Sequence, residues 1–164
     1  MNEDIKEWKR LSGRTYEQFK KDIKQSTLDE RVIIEKYKCY CKRKYNIDIT
    51  IEDNDIDNTG EFLEVSKVRS DADFIVNGKL VEVKTIKNKL DSFRLKVASI
   101  KSYIKQNATM LLVSGWKTDN PEFTMITPRL MKNLLKTKTV TVARDWENKK
   151  IIRLSYDDFK WDIL

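Results

Sequence analysis

Ser70 to Thr85 reads S-D-A-D-F-I-V-N-G-K-L-V-E-V-K-T, and this stretch decides the fold. Two runs of alternating, largely β-branched residues flank Asn77-Gly78. An Asn-Gly pair between such runs is the strongest short-range signal for a β-hairpin, because both residues tolerate a positive φ. With these two as the turn residues, the predicted register places Asp73 directly opposite Glu82.

The two faces of this predicted hairpin differ in character. Side chains two apart in a strand point the same way, so Lys84 shares the face of Glu82. Opposed carboxylates on that face repel each other by ~0.2 to 1 kcal/mol. The repulsion must be compensated by Lys84 alone or by a divalent cation held by oxygen ligands, which leaves Lys84 for chemistry. The opposite face is expected to enter the core and carries Phe74, Val76, Val81 and Val83.

Asp73, an eight-residue gap and Glu82-Val83-Lys84 together resemble the motif of the PD-(D/E)xK nucleases. This restriction-endonuclease-like superfamily consists of metal-dependent enzymes that cut nucleic acid, and the resemblance covers mainly residues 28–116. It implies that Asp73 and Glu82 bind Mg²⁺, or Mn²⁺ as a substitute, with help from the Val83 carbonyl. It further implies that Lys84 positions or activates the attacking water.

The motif is short and has alternatives. Ala72 stands where the family often has proline, and Asp71 is a minor rival for Asp73, although it would face Lys84 across the hairpin. D-x8-E-x-K also occurs by chance in a charged chain, and the simpler interpretation is a solvated hairpin face with one salt-bridged lysine. The hairpin register and the flanking elements favour the metal site.

A helix is predicted before the sheet. Thr27-Leu28-Asp29-Glu30 has the form of a capping box and predicts a helix from there to about Tyr45. Members of the superfamily often carry an additional ligand on this helix, and Glu35 is the predicted catalytic and metal-binding residue because it lies about three turns before the helix end. Glu30 is the alternative, although the capping box would already explain it. An ordinary surface charge is the competing interpretation of Glu35.

The elements after the motif predict an α/β fold. A helix is predicted from about Asp91 to Gln106, and the apolar run Ala108 to Trp116 predicts a buried strand parallel to the E-x-K strand. The resemblance implies a restriction-endonuclease-like core, with a central mixed β-sheet flanked by helices. The remaining predicted elements are a strand at Glu61–Val68 beside the hairpin, a helix from Thr127-Pro128, and a C-terminal β-hairpin extension formed by Thr139–Ala143 and Lys150–Leu154.

The length of 164 residues predicts one domain. We divide it into an N-terminal helical arm at 1–26, a catalytic core at 27–116 and a C-terminal helix and hairpin extension at 117–164. The arm has a capping-box pattern of its own at Thr15-Tyr16-Glu17-Gln18.

The charge pattern predicts a polyanionic partner. The net charge is +7, residues 1–60 are balanced at 13 basic and 13 acidic side chains, and the excess therefore lies in residues 61–164. A basic field beside paired carboxylates suits a substrate whose phosphates approach metal ligands, although solubility is an equally simple explanation of the charge. The predicted nucleic-acid contacts are Lys87, Lys89, Arg94, Lys96, Lys101, Lys105, Gln106, Arg144 and Trp146.

The composition excludes several function classes. The chain contains no histidine, which removes Ser-His-Asp and Cys-His nucleophile systems and nucleases built on a histidine base. The two cysteines, Cys39 and Cys41, predict neither a disulfide nor a closed zinc site. Charged residues make up 36% and no apolar run approaches the length of a membrane span. We therefore expect a cytoplasmic protein, in the host cell if phage-encoded, with no membrane partner.

These observations predict a Mg²⁺-dependent endonuclease that cuts double-stranded or branched DNA. A homodimer is the expected assembly, because enzymes of this kind commonly cut both strands as homodimers. The small single-domain form is similar to nucleases of phages and mobile elements, such as homing endonucleases and junction resolvases. One alternative is an RNase or tRNase toxin of the same superfamily, and another is a non-catalytic nucleic-acid-binding module. A third is a structural or inhibitory protein that meets an acidic partner.

Overall fold

The computed structural model of the chain describes residues 13–54 and 71–164, which form a mixed α/β fold. The helices of these residues are α1 (Tyr16–Tyr45), α2 (Val97–Gln106) and α3 (Pro128–Thr137). Their strands are β1 (Ile51–Asp53), β2 (Phe74–Val76), β3 (Lys79–Ile86), β4 (Ser92–Lys96), β5 (Thr109–Ser114), β6 (Glu122–Ile126), β7 (Val140–Ala143), β8 (Lys149–Ser155) and β9 (Asp162–Ile163). Short 3₁₀ turns lie at Arg144–Trp146 and Tyr156–Asp158.

The main sheet is mixed and covered on both faces. Its strand order is β1-β2-β3-β5-β6-β9, in which β3 and β5 are parallel and the other neighbours are antiparallel. Successive residues of β5 point to opposite faces: Leu111 packs in a cluster with Ile33 and Ile34 of α1, whereas Leu112 packs in a cluster with Ile100 of α2. The predicted parallel pairing of a buried strand with the E-x-K strand is confirmed.

A second sheet corrects the prediction for residues 91–106. The predicted helix from about Asp91 begins only at Val97, and the preceding residues form β4. β4 lies at one edge of a three-stranded antiparallel sheet of order β4-β8-β7. Phe93 pairs with Leu154 in this sheet. A strand formed through such distant pairing is not visible in local periodicity, which here suggested a helix.

Residues 16–26 of the predicted N-terminal arm and the helix before the sheet form one element. The predicted helix start at Thr27 is wrong, because α1 continues from Tyr16 to Tyr45 without a break. The capping box that does operate lies at the real N-terminus, where Gln18 N–H donates to Thr15 Oγ1 at 3.2 Å and Thr15 N–H donates to Gln18 Oε1 at 3.0 Å. A capping sequence acts only where the backbone enters a helix, so Thr27 and Glu30 are interior helical residues.

Two predictions fall partly or wholly outside the described residues. Residues 1–12 of the arm and the predicted strand Glu61–Val68 lie there. Among the described residues, β1 pairs with β2. The helix start at Thr127-Pro128 and the C-terminal hairpin of β7 and β8 are confirmed. Across 13–54 and 71–164, no helix combines the length and apolar character that crossing a bilayer requires.

The hairpin turn provides a test of what holds the sheet together. Gly78 has a φ of +75° and a Cβ at this position would contact nothing within 4 Å, so Gly78→Ala introduces only backbone strain. We expect a loss of about 1 kcal/mol in the free energy of unfolding, or roughly 2–4 °C in Tm. Gly78→Asn should cost less, since asparagine tolerates this conformation. Equal melting temperatures for all three proteins would contradict this account of the turn.

Candidate active site

The hairpin has the predicted register. Asn77 and Gly78 are the turn residues, with φ of 47° and 75°, and Phe74 pairs with Val81. Asp73 precedes Phe74 and Glu82 follows Val81, so the register places the two acids across from each other. The side chain of Asn77 also accepts a hydrogen bond from the Thr50 N–H at 2.8 Å, which ties the turn to the chain before β1.

The backbone around Asp73 is held from several sides. The Val83 N–H donates to Asp73 Oδ2 at 2.8 Å. The Ala72 N–H donates to Gln106 Oε1 at 3.0 Å, and Asn54 Nδ2 donates to the Ala72 carbonyl at 2.8 Å. The Asn54 N–H donates to the Asp73 carbonyl at 3.1 Å. Gln106, which we predicted as a phosphate contact, therefore positions the chain that carries Asp73.

Glu82 is the deepest acid of the site and has two strong partners. Only 3% of the surface of Glu82 is exposed to solvent. Glu82 Oε1 accepts a hydrogen bond from the Tyr103 hydroxyl at 2.7 Å and lies 2.5 Å from the Lys84 ammonium nitrogen. Sequence reasoning missed Tyr103. The available signal was its position three residues after the apolar Ile100, on the helix predicted between the E-x-K strand and the next buried strand.

Electrostatics at the site favour a neutral Asp73 and a charged Lys84. Burial, followed by the negative charges of Glu82 and Glu30, raises the pKa of Asp73 to about 8. Burial acts to lower the pKa of Lys84, but Glu82, Tyr103 and Asp73 outweigh it and the pKa is raised. Lys84 is therefore an ammonium group at neutral pH and serves as a donor rather than as a base.

Glu30, not Glu35, takes part in this network. Burial raises the pKa of Glu30 to about 6; Glu82 and Asp29 also raise it, whereas the Ser26 hydroxyl and Lys84 lower it. Ser26 Oγ donates to Glu30 Oε1 at 2.9 Å. Glu35 is exposed, and five residues along a helix correspond to a rotation of about 140°. The structure therefore does not bring Glu35 to the site, and Glu30 replaces it as the candidate third acid.

The donor set fits a small hard cation in chemistry. Three acids of the site interact electrostatically, namely Asp73, Glu82 and Glu30. Their carboxylate oxygens are the kind of ligand that Mg²⁺ prefers. Bound between these acids, a cation would favour ionised Asp73, because its positive charge opposes both the burial and the repulsion that raise the pKa. In the structure the Glu82 carboxylate contacts the Lys84 ammonium group. Within the described ranges, no three acidic or cysteine side chains lie close enough together to hold a metal ion. For Val83, the observed contact to Asp73 is made by its N–H, not by its carbonyl.

Three of the predicted nucleic-acid contacts gather near Lys84. Arg94 and Lys96 lie on β4 rather than on the predicted helix. The guanidinium carbon of Arg94 lies 4.4 Å from the ring centre of Trp146, and the Lys96 nitrogen lies 5.7 Å from it. Arg94 Nη1 also forms an ion pair with Asp145 at 2.7 Å. Trp146 therefore lies against two cationic side chains at one side of the site.

The other predicted contacts are spread around the fold. Lys101 and Lys105 are exposed on α2, and Arg144 is exposed at the start of a 3₁₀ turn. Lys87 is exposed after β3 and lines a hollow with residues of α1. Lys89 pairs with Glu122 at 3.0 Å, so its charge is partly neutralised.

Comparison with protein-family models, curated proteins and solved structures finds no match for this chain. The geometry and charge of the site therefore carry the functional inference. Two acids, a charged lysine and a buried tyrosine lie on one face of a sheet, with a third acid contributed by α1.

Asp73→Asn is expected to stabilise the metal-free protein, and more so at higher pH. The folded pKa of about 8 exceeds the ordinary 3.8. Between these values the unfolded chain binds fewer protons than the folded one, so the wild type loses stability as pH rises from about 4 to 8. Asparagine removes this dependence and still accepts the Val83 hydrogen bond. Thermal unfolding in EDTA should show a gain in the free energy of unfolding that is larger at pH 8 than at pH 5, by on the order of 3 kcal/mol.

Asp119→Asn is the matched control, because Asp119 is exposed on the loop before β6. It should change stability by less than about 0.5 kcal/mol at every pH. A pH-independent difference between Asp73→Asn and the wild type would mean that Asp73 ionises in the fold at no cost, contrary to the electrostatic account.

Proposed function

We propose that this protein is a metal-dependent endonuclease with a restriction-endonuclease-like core, which hydrolyses phosphodiester bonds of DNA. One observation carries the proposal: the hairpin aligns Asp73 with Glu82 on the face where Lys84 contacts the buried Glu82 carboxylate. Burying acids beside one another destabilises a fold, and such arrangements cluster at functional sites. The order of α1, an antiparallel β1-β2-β3 unit, α2 and a strand parallel to β3 supports the proposed core.

Mg²⁺ is the proposed cofactor, with Mn²⁺ as a substitute. Asp73, Glu82 and Glu30 would hold it, and the Val83 carbonyl is the proposed backbone ligand. When bound, the ion supplies neutralisation of phosphate charge and a water of lowered pKa.

The chain's own residues have distinct proposed roles. Lys84 stays protonated and half-buried, so it can donate to a phosphate oxygen or orient the attacking water. The Tyr103 hydroxyl, whose pKa is raised first by burial, remains a donor and holds the Glu82 carboxylate in place. Gln106 and Asn54 fix the backbone that carries Asp73. Tyr103, Gln106 and Asn54 are thus positioning residues.

A second candidate function rests on the Lys84 contact with Glu82. This ion pair compensates the buried carboxylate without any metal, as a non-catalytic nucleic-acid-binding module would require. DNA is favoured over RNA only by the family resemblance. A tRNA-cleaving enzyme is therefore a third candidate function for the same site.

Cleavage assays on duplex DNA, branched DNA and tRNA test the function. With Mg²⁺ or Mn²⁺ the wild type should cut one DNA class, and EDTA should abolish cutting. Glu82→Gln and Lys84→Met should each lower the rate by about 10²–10³-fold, since they remove groups that act at the reacting phosphate. Lys79→Met is the control, because Lys79 is exposed at the start of the same strand.

The outcomes separate the three candidates. Selective cutting of tRNA would favour the RNase alternative. Salt-sensitive binding without cutting, unchanged in both site variants, would favour the binding module.

Glu30 and Glu35 make a matched pair for the metal site. Glu30→Gln should weaken Mn²⁺ binding by about tenfold, because it removes a charge that acts on Asp73. Glu35→Gln removes the same charge from an exposed position of the same helix and should change the affinity by less than about twofold. Isothermal titration with Mn²⁺ measures both. Equal weakening by the two variants would count against a role for Glu30.

A further inference from the structure

A pocket of about 270 Å³ opens beside Lys84, between β3, β4 and α2. Its wall includes Lys84 itself, so an occupant would lie within one side-chain length of the proposed reaction centre. Its volume lies just below the range of roughly 300–1,000 Å³ that is typical of small-molecule sites. It therefore suits one flat ring system with part of a sugar, and not a length of duplex.

The lining of the pocket suits an aromatic ring. Buried apolar side chains contribute to it from the sheet and the helix, including Ile100, Met110 and Leu112. Phe93 and Trp146 add aromatic surface. Nucleobases are bound in proteins by this kind of apolar and aromatic contact. Phosphodiester hydrolysis at Asp73 and Glu82 does not by itself need such a surface.

Polar groups at the pocket could fix the orientation of a base. The lining includes the hydroxyl-bearing residues Thr85, Ser99 and Tyr103 beside its apolar part. A few polar groups among apolar walls are typical of ligand sites that select one orientation.

The rim of the pocket is cationic and structurally fixed. Burial, followed by the positive charges of Lys149 and Lys84, lowers the pKa of Lys96, and Glu147 opposes this shift. Glu147 forms an ion pair with Lys149 at 2.9 Å, so Lys96 and Lys84 are the main sources of the field. Arg94 is held against Trp146 and paired with Asp145, which fixes the indole wall. The field attracts the phosphates of a strand whose base enters the pocket.

We propose that this pocket holds the base of the nucleotide whose phosphate lies at the Asp73, Glu82 and Lys84 site, and that the enzyme therefore prefers nucleotides whose bases are unpaired. The proposal rests on the proposed function. A base within a duplex is stacked on both faces and paired at its edge, so it reaches an enclosed pocket only after leaving the stack. Mismatched, bulged or single-stranded nucleotides do so most easily.

The test compares three oligonucleotides of one sequence: a full duplex, a duplex with one bulged nucleotide, and the same bulge lacking its base. The proteins are the wild type, Ser99→Phe, which fills the pocket, and Ala98→Phe, which adds the same ring at an exposed neighbouring position of α2. Binding is measured in EDTA and cleavage with Mn²⁺. For the wild type and Ala98→Phe, we expect the bulge with its base to be bound and cut at least tenfold better than the other two. For Ser99→Phe, that preference should fall below twofold.

A second measurement uses only the wild-type protein and therefore does not require the Ser99→Phe variant to fold. A bulge carrying 5-iododeoxyuridine is irradiated with the wild-type protein, and the adduct is located by mass spectrometry. An adduct on Phe93, Tyr103 or Trp146 supports the proposal, whereas an adduct elsewhere overturns it.

Failure of the pocket and failure of the nuclease function can be told apart. Cleavage with no preference for the bulge, and no effect of Ser99→Phe, overturns the pocket and leaves the nuclease. A bulge preference in binding that Ser99→Phe removes, with no cleavage of any substrate, supports the pocket and overturns the nuclease. Absence of binding to all three oligonucleotides overturns the pocket as well.

Discussion

The structure is organised around one unfavourable interaction, the close approach of Asp73 to the buried carboxylate of Glu82. Desolvation by burial, followed by repulsion from Glu82 and Glu30, raises the pKa of Asp73 to about 8. The ammonium group of Lys84 offsets part of this cost by its contact with Glu82. A buried carboxylate is tolerated only with partners of this strength. The residues around the hairpin form hydrogen bonds with these side chains or hold the backbone that positions them.

That support comes from three separate elements. Tyr103 of α2 donates to Glu82, and Gln106 of the same helix holds the backbone before Asp73. Asn54, at the end of β1, binds that backbone from another direction. Glu30 of α1 adds a further negative charge. Because the helices pack on the sheet through its apolar faces, the core that stabilises the fold also sets the positions of the polar groups.

The second sheet has a different part in the molecule. After β3 the chain passes from the main sheet to the second sheet, in which β4 pairs with β8. This pairing places Arg94 and Lys96 near Trp146 and closes one side of the pocket beside Lys84. The proposed reaction and the proposed base pocket thus use two layers of the fold that meet along β3. A hairpin alone would provide the acids but no walled space beside them.

The sequence alone determined the hairpin and its register, because Asn77-Gly78 and the alternation beside it act over a few residues. It also determined the parallel partner of β3, because a continuous apolar run after a crossover helix predicts a buried parallel strand. It also determined that Asp73 faces Glu82 across the turn and that Lys84 shares their face. Only the tertiary structure decided that Glu30 rather than Glu35 approaches these acids. The pattern at Thr27 had suggested a helix start with Glu30 as a capping residue, whereas both residues lie inside a continuous helix. The start of β4 and the position of Tyr103 were decided in the same way. Pairing and packing between segments distant in the chain outweigh local preference, and their outcome is not written in any short stretch of residues.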